Sequence, residues 1–410
     1  MECKVIGIGA AGNKAAIGLI EQGIVDSERV LLLNSTLRDV PADYKSIAKK
    51  FSDTIGGCGK ERKMAQQLML SALQQDSYIN LEGFIDPKDD MVVIVSSSEG
   101  GTGCGASIVL AHYLSEVIGL PVHMFVFTGF EEDARGLNNT VEYFQELDPV
   151  YTVQAISNKK FLDETGNKLR AEKEANKAFA NKIRTILGLD LVECEQNIDE
   201  TDLKKLVNTP GFMIVESVPI VNKIKNVAMF NELCANIIDN TSSLEFMPTA
   251  KRIGVILNIS EKTKDFIDYS FSVFKNKLGS PFEVFTHIQS EKETEFISII
   301  ASGLNLPIEE VETVYNKYIE ETSKVEKKRD AFFSKAMQFK KADDDDIFDF
   351  AGKKQNTKLA PDNNTKRAFF NRFKGYNDNN IGITTTLNKQ QQPATDIAAT
   401  LADDIKITNV

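Results

Sequence analysis

The stretch that decides the fold is Ser96–Ser107, which has the sequence SSSEGGTGCGAS. It follows an apolar run and precedes a helix-like segment, and it sets Gly100, Gly101, Gly103 and Gly105 around Thr102. Glycines at the carboxyl end of a strand let the backbone turn tightly and approach a phosphate, which the amino end of the next helix stabilises. The stretch is not a P-loop, because no Gly-Lys-Ser/Thr follows. We predict a phosphate-binding turn here. The alternative is that the glycines serve only a tight turn.

A second glycine-rich turn lies near the start of the chain, at Gly7, Gly9 and Gly12. A dinucleotide-binding unit with this spacing carries an acid about 20 residues further on. The next apolar run instead ends in Leu33-Asn34-Ser35, which disfavours a dinucleotide-dependent enzyme. Two glycine-rich turns in one chain predict two sets of backbone amides that face the same polyphosphate.

The first half of the chain alternates short apolar runs with helix-like segments. The runs that we predict to be strands are Lys4–Ile8, Val30–Asn34, Met91–Ser96, Val122–Phe127 and Thr152–Ile156. Helices are predicted near 13–22, 60–76, 103–118 and 137–147. This alternation predicts a parallel sheet covered on both faces.

The second half begins with a long helical pattern, Ala171–Leu187, and an acidic loop. Four more strands are predicted at Phe212–Glu216, Arg252–Asn258, Phe282–His287 and Glu295–Ala301, with helices near 224–238 and 263–277. A long amphipathic helix follows, and a polar tail begins at Asp343. The predicted domains are 1–170 (nucleotide-binding), 171–210 (central helix and acidic loop), 211–305 (smaller α/β domain), 306–342 (C-terminal helix) and 343–410 (disordered tail).

Composition excludes several classes of function. The net charge of -11 disfavours a fold that grips DNA directly. No run of 18 apolar residues is present, so we expect no membrane span. The start of the chain lacks a signal-peptide pattern, and the five cysteines are far apart. We therefore expect a cytoplasmic protein with reduced thiols and no protein-held zinc or other metal centre.

Three motifs in order carry a resemblance to a known family. The segments GIGAAGN and EGGTGCG are followed, after the long helical pattern, by Asn197-Ile198-Asp199-Glu200-Thr201-Asp202. Together they resemble the tubulin/FtsZ superfamily of GTP-hydrolysing filament proteins, from Val5 to about residue 325. Within it the chain is most similar to the TubZ branch, through AISNKKFLDETGNKL, LKKLVNTPGFMIV and ISIIASGLNLPIEEVETVYNKYIEE.

The resemblance implies a tubulin/FtsZ fold: a Rossmann-like GTPase domain, a long central helix, a smaller α/β domain and a long C-terminal helix with a disordered tail. It also implies a site for GTP or GDP with Mg²⁺. The residues that match the family's phosphate loops are Gly7, Gly9, Gly12, Asn13, Gly57, Gly59, Gly100, Gly101, Thr102, Gly103 and Gly105. Glu131 or Glu132 falls near the position of a ribose-contacting acid, and we assign the role to Glu132. Asn158 and Asn181 match the guanine-contacting positions, where an amide supplies both a donor and an acceptor.

The acidic loop is the expected catalytic element, with Asn197, Asp199 and Asp202 as its residues. Without the motif, two acids after a helix are as easily a helix cap or a solvated loop. In the family this loop enters the nucleotide pocket of the next subunit, where its carboxylates polarise the attacking water. The chain departs from the family at Glu99, which stands where a small residue is usual and puts the hydrolysis rate in doubt.

The implied function is a filament-forming GTPase that segregates or positions plasmid or phage DNA. Its expected partners are other copies of itself, joined head to tail, and a DNA-bound adaptor that the tail engages. The tail segment Lys366–Lys374 interleaves basic and aromatic residues, as such a contact needs. The alternatives are an FtsZ-like cell-division GTPase and a nucleotide-bound scaffold that hydrolyses poorly.

Overall fold

The structure is a computed structural model that describes residues 1–340, apart from 53–55, 75–78, 82, 87, 195 and 291–293, with side chains described through residue 329. Within that part of the chain, the strands are β1 (Cys3–Ile8), β2 (Val30–Asn34), β3 (Ala48–Lys50), β4 (Met91–Ser97), β5 (Val122–Thr128), β6 (Thr152–Ser157), β7 (Gly211–Pro219), β8 (Arg252–Asn258), β9 (Glu283–Gln289) and β10 (Phe296–Leu304). The α-helices are α1 (Gly9–Glu21), α2 (Arg62–Gln74), α3 (Thr102–His112), α4 (Ala134–Glu146), α5 (Asn158–Thr165), α6 (Lys168–Ile186), α7 (Glu200–Val207), α8 (Val227–Asp239), α9 (Glu261–Lys264), α10 (Ser272–Leu278) and α11 (Ile308–Lys340).

The strands form one mixed sheet in the order β3-β2-β1-β4-β5-β6-β7-β10-β8-β9. Every pairing from β3 to β7 is parallel, β10 runs antiparallel to both of its neighbours, and β8 and β9 are parallel. The sheet continues across the predicted boundary at residue 210, where β6 and β7 pair only at Thr152–Gly211 and Val153–Phe212. The predicted α/β class is confirmed, and the domain boundaries remain a prediction.

Successive side chains of a strand point to opposite faces of the sheet, and here they are apolar on both faces. Both faces of the sheet are therefore buried. In β1, Ile6 and Ile8 belong to one core and Val5 belongs to the core on the other face. The second core contains α6, whose Phe179 is fully buried and packs edge-on against Phe125 of β5 at 5.1 Å between ring centroids. Burial of such a side chain stabilises the fold by roughly 1.5–3 kcal/mol.

The predicted helix near 263–277 is wrong, since two shorter helices, α9 and α10, stand in its place. Between them, the Asp268 carboxylate accepts hydrogen bonds from the backbone N–H of Ser270 and from the Ser272 hydroxyl. Phe271 takes a left-handed backbone conformation, with φ of 48°. Local side-chain to backbone bonding of this kind competes with a continuous helix.

The predicted C-terminal helix corresponds to α11, which packs against α4. In the described part of the chain, no helix is both long and apolar enough to cross a membrane. The predicted tail and its segment Lys366–Lys374 lie outside the described residues.

Candidate functional site

A cavity of about 350 Å³ lies at the carboxyl ends of β1, β4, β5 and β6. The first turn of α1 contributes Ala10, Ala11 and Lys14 to its wall, and the ends of β4 and β5 contribute Ser97 and Phe127. The cavity is within the size range of small-molecule sites, and ligands of open parallel sheets bind at this edge.

Two helices begin at this edge without a side chain to cap them. Neither α1, which follows Ile8, nor α3, which follows Gly101, has a side-chain cap hydrogen bond. By contrast, α4 to α8 are capped by the side chains of Asp133, Ser157, Asn167, Asp199 and Asn226. The first N–H groups of a helix have no intrahelical partner, and together with the helix dipole they form a site for an anion.

The glycines of the two turns bring these helix ends together. Gly9 has φ of +74°, and a Cβ there would lie 3.0 Å from the backbone nitrogen of Gly103. A Cβ on Gly12 would lie 2.1 Å from the carbonyl oxygen of Val95, and one on Gly7 would lie 2.8 Å from the carbonyl oxygen of Gly12. These positions therefore require glycine for close packing of α1 against β4 and α3, whatever else they contact.

The loop before α2 joins the same assembly. A Cβ on Gly101 would lie 2.9 Å from the backbone of Lys60, and one on Gly105 would lie 2.1 Å from the carbonyl oxygen of Arg62. The buried Asn139 of α4 donates from Nδ2 to the carbonyl oxygens of Lys60 (3.0 Å) and Glu99 (3.1 Å). Asn139, which the sequence analysis missed, thus fastens this loop to the Ser96–Ser107 turn.

Gly57 and Gly59 lie in that loop with no atom within 4 Å of an added Cβ, and Gly59 has φ of +55°. Thr102 begins α3, and its Oγ1 lies 3.3 Å from the Ser35 Oγ at the end of β2. Close packing therefore explains why positions 101 and 105 are glycine, but it does not explain why position 57 is glycine.

Glu99 turns its carboxylate toward the loop that follows β5. It accepts hydrogen bonds from the backbone N–H of Glu131 (2.8 Å) and of Phe130 (3.3 Å), and it also lines the cavity. Burial raises the pKa of the Glu99 carboxyl, while those two N–H donors act to lower it. Glu131 itself has φ of 59°. Glu99 is therefore a support for this loop.

Two amide side chains that match the family's motifs, the buried Asn13 and the half-buried Asn158, have buried polar atoms without a hydrogen-bond partner. In the described structure, the Asn158 Oδ1 atom at the start of α5 has no hydrogen-bond partner, and Asn158 lines the cavity. Both amide atoms of Asn13 are likewise without a partner. A buried amide without a partner is costly, so a ligand that hydrogen-bonds Asn158 would remove that cost.

The structure does not bring Asn181 to this cavity. Asn181 lines a second cavity, of about 310 Å³, together with Lys182 and Glu216. Asn176, five residues earlier on α6, lines the first cavity with Glu172. Residues i and i+4 share a helix face, which explains why Glu172 and Asn176 point the same way and Asn181 does not.

Glu132 is also placed away from the cavity lining. It forms an ion pair with Lys168 at the start of α6. The acids that do line the cavity are Glu99 and Glu172, and the Glu172 carboxylate pairs with Lys14 at 2.7 Å. Lys14, Glu172 and Asn176 were missed in the sequence analysis because only the fold places α6 beside α1.

The acidic loop lies at the opposite, amino-terminal ends of the parallel strands. Ile198 is 3% exposed and anchors the loop, whereas Asn197 and Asp199 on either side of it are exposed. Asp199 caps α7, since its Oδ1 accepts the backbone N–H of Asp202 at 2.7 Å. In the single chain, Asp199 therefore acts as a helix cap, and the carboxylates of Asp199 and Asp202 remain near the surface.

An ion pair fixes the loop's distance from the cavity. Lys204 of α7 lies 2.8 Å from Asp90, which directly precedes β4, whereas Ser97 at the other end of β4 lines the cavity. Seven strand residues span roughly 20 Å. The acidic loop therefore cannot reach the cavity of its own chain.

Comparison with known proteins identifies relatives of this architecture. The sequence is 24% identical over 315 residues to the cell division protein FtsZ of Mycoplasmopsis pulmonis, covering 74% of this chain and 77% of that protein. A GTPγS-form protofilament of TubZ from Bacillus thuringiensis serovar israelensis matches with a TM-score of 0.63 at 19% identity, covering 80% of this chain and 94% of that one. CetZ2 from Haloferax volcanii, in a GTPγS-bound protofilament, matches with a TM-score of 0.62 at 18% identity, covering 80% of this chain and 100% of that one. No protein-family model matches the sequence.

Proposed function

We propose that this chain, which belongs to the tubulin/FtsZ superfamily by its sequence homology to FtsZ and its shared fold, is a GTPase that assembles head to tail into filaments. The observation that carries the proposal is that two features lie at opposite ends of the parallel strands. The cavity, lined by the uncapped start of α1 with the uncapped start of α3 beside it, lies at the carboxyl ends of the parallel strands, and the acidic loop with its exposed Asp199 lies at their amino ends.

The cavity is suited to a nucleoside triphosphate. The free N–H groups at the starts of α1 and α3 would bind the phosphates, with Lys14 as a nearby cation. Asn158 and Asn176 would hydrogen-bond the base, because an amide supplies the donor and acceptor that a guanine edge requires. We assign this base contact to Asn176 instead of Asn181, the residue expected from the sequence.

Mg²⁺ would enter the site with the nucleotide. Within the described residues, no group of three or more His, Cys, Asp or Glu side chains could hold a metal ion. Mg²⁺ commonly binds through phosphate oxygens and water with few protein ligands, so the site fits the ion only as a companion of the phosphates. When bound, it would neutralise phosphate charge.

Hydrolysis would need two subunits. The acidic loop of one chain would enter the cavity of the next, and Asp199 and Asp202 would orient and polarise the attacking water beside Asn197. Such a contact joins two different surfaces and repeats into an open filament. The known filament forms of TubZ and CetZ2 support this arrangement.

The biological role that we propose is the positioning or segregation of plasmid or phage DNA in the cytoplasm, through an adaptor bound by the tail. The TubZ structures support this role. The FtsZ relative supports cell division as the second candidate. A neighbouring gene for a small DNA-binding protein, with a repeated upstream site, would favour the first role, and a chain that localises to the division plane would favour the second.

The activity is tested with purified full-length protein, by pelleting and phosphate release in the presence of GTP. Asp202→Asn should bind GTP and form persistent filaments while turnover falls roughly 10²- to 10⁴-fold. Glu193→Gln is the matched control, since Glu193 is an exposed acid in the segment before the motif. Normal turnover by Asp202→Asn would show that the acidic loop has been misassigned.

A further inference from the structure

The edge strand β9 holds the segment that leads into the acidic loop. The backbone N–H of Ile288 donates to the carbonyl oxygen of Gln196 at 3.0 Å. The Gln289 side chain accepts the N–H of Val192 at 2.8 Å and donates to the carbonyl oxygen of Asp190 at 2.9 Å. Three backbone groups of the 190–196 segment are therefore bound by two consecutive residues of β9.

His287, next to them on β9, holds the loop itself. Its side chain is fully buried, and its Nδ1 atom accepts the backbone N–H of Ile198 at 3.3 Å. Since Nδ1 accepts, the proton lies on Nε2, which donates to Gln289 Oε1 at 2.7 Å. Burial lowers the pKa of His287, which keeps the ring in this neutral form.

Ile198 stands between the proposed catalytic residues Asn197 and Asp199. The bond from its N–H to His287 fixes the backbone at the point from which both exposed side chains project. A backbone displaced by about 1 Å can cost a reaction roughly 100-fold in rate.

We infer that His287 is a positioning residue for GTP hydrolysis: through the N–H of Ile198 it presets Asn197, Asp199 and Asp202 of one subunit for the cavity of the next. This inference rests on the proposed function, because the carboxylates have a catalytic role only in a filament. The same hydrogen bonds connect the edge strand β9 to the acidic loop.

Cys194 supplies a readout that needs no GTP turnover. Its Sγ lies 3.6 Å from Nε2 of His287, and it is partly exposed, whereas the other four cysteines are buried. The rate at which a maleimide alkylates Cys194 in the monomer therefore reports whether the loop remains in place.

The test compares His287→Ala, His287→Asn and His287→Gln. Asn places its amide near the position of Nδ1 and restores an acceptor for the Ile198 N–H, while Gln reaches toward Nε2 and does not. We expect the Ala and Gln variants to lose roughly 10- to 100-fold in turnover per polymerised subunit, with unchanged GTP affinity, and to alkylate faster at Cys194. The Asn variant should stay close to the wild type in both assays.

The matched control is His123→Ala, which removes a buried imidazole that bonds Asn208 at the far end of α7. It should retain wild-type turnover and a wild-type alkylation rate. If His287→Ala does not fold, the Asn and Gln variants still decide. Equal alkylation rates in all variants would overturn the inference even if the protein proved not to be a GTPase. A failure of turnover in the wild type would count against the proposed function, and the alkylation rates would still decide whether His287 holds the loop.

Discussion

Lys204 Nζ lies 2.8 Å from the Asp90 carboxylate and ties α7 to the residue before β4. This contact sets the acidic loop at the amino-terminal edge of the parallel strands, while the residues after β4 line the cavity at the other edge. In the proposed GTPase, these are the two halves of one site on opposite surfaces of a chain, and they meet only when chains stack head to tail.

The first prediction separates the capping role of Asp199 from its proposed catalytic role. Asp199→Ala should lose hydrolysis and also destabilise α7 by about 1 kcal/mol, because Asp199 caps the helix. Asp199→Asn keeps a good capping side chain and should lose hydrolysis alone. Urea unfolding and phosphate release measure the two effects. Full activity in Asp199→Asn would mean that the residue is only a cap.

The second prediction distinguishes the two asparagines of α6. Asn176→Ala should weaken GTP binding roughly 5- to 100-fold, because it removes a hydrogen-bonding group from the cavity wall. Asn181→Ala should leave GTP affinity unchanged, since Asn181 lines the other cavity. Equilibrium binding of a fluorescent GTP analogue measures both. The reverse pattern would restore the original assignment of Asn181.

The third prediction uses a pair of glycines. Gly12→Ala should destabilise the fold by about 1–3 kcal/mol or prevent folding, because the new Cβ meets the carbonyl oxygen of Val95. Gly57→Ala meets open space and should unfold like the wild type. A loss of GTP turnover in a normally folded Gly57→Ala protein would then report a contact with the nucleotide. Unchanged turnover would remove Gly57 from the site.

The fourth prediction concerns acid stability. Burial lowers the pKa of His123 from its usual 6.5 to about 4. Because the folded state resists protonation, the stability that His123 contributes is present above pH 6.5 and is lost as the pH falls from 6.5 toward 4.

His123→Gln keeps an amide near the Nε2 position and does not titrate, so it is the control. Urea unfolding between pH 7 and 4.5 should show the wild type losing stability relative to this variant. The contribution of His287, whose pKa burial also lowers, is common to both proteins and cancels. Parallel pH profiles would contradict the prediction.

Much of the sheet was predictable because its strands are short, apolar and separated by turn residues. The strands Val30–Asn34 and Arg252–Asn258 are found with the predicted bounds. The short strand β3 was missed, since its three residues, Ala48–Lys50, have no distinctive pattern. The helix predicted near 263–277 failed because the bonds of Asp268 interrupt it.

The site was predictable where a local motif carries it and not where distant segments meet. The glycine-rich turns could be identified because all the residues that form such a turn at the start of a helix are close together in the sequence. The contacts of Glu99 with Glu131, and of His287 with Ile198, join residues 32 and 89 positions apart. Asn176 differs from Asn181 only in the helix face that it occupies, and a sequence match over a long helix does not resolve that difference.

The central claim, that hydrolysis needs a second subunit, is tested most directly by the rate of phosphate release at saturating GTP across a range of protein concentrations. The account predicts almost no release below the critical concentration for assembly and a linear rise above it, with Asp202→Asn assembling at a similar concentration without release. A rate proportional to protein concentration from zero upward, with no threshold, would contradict it.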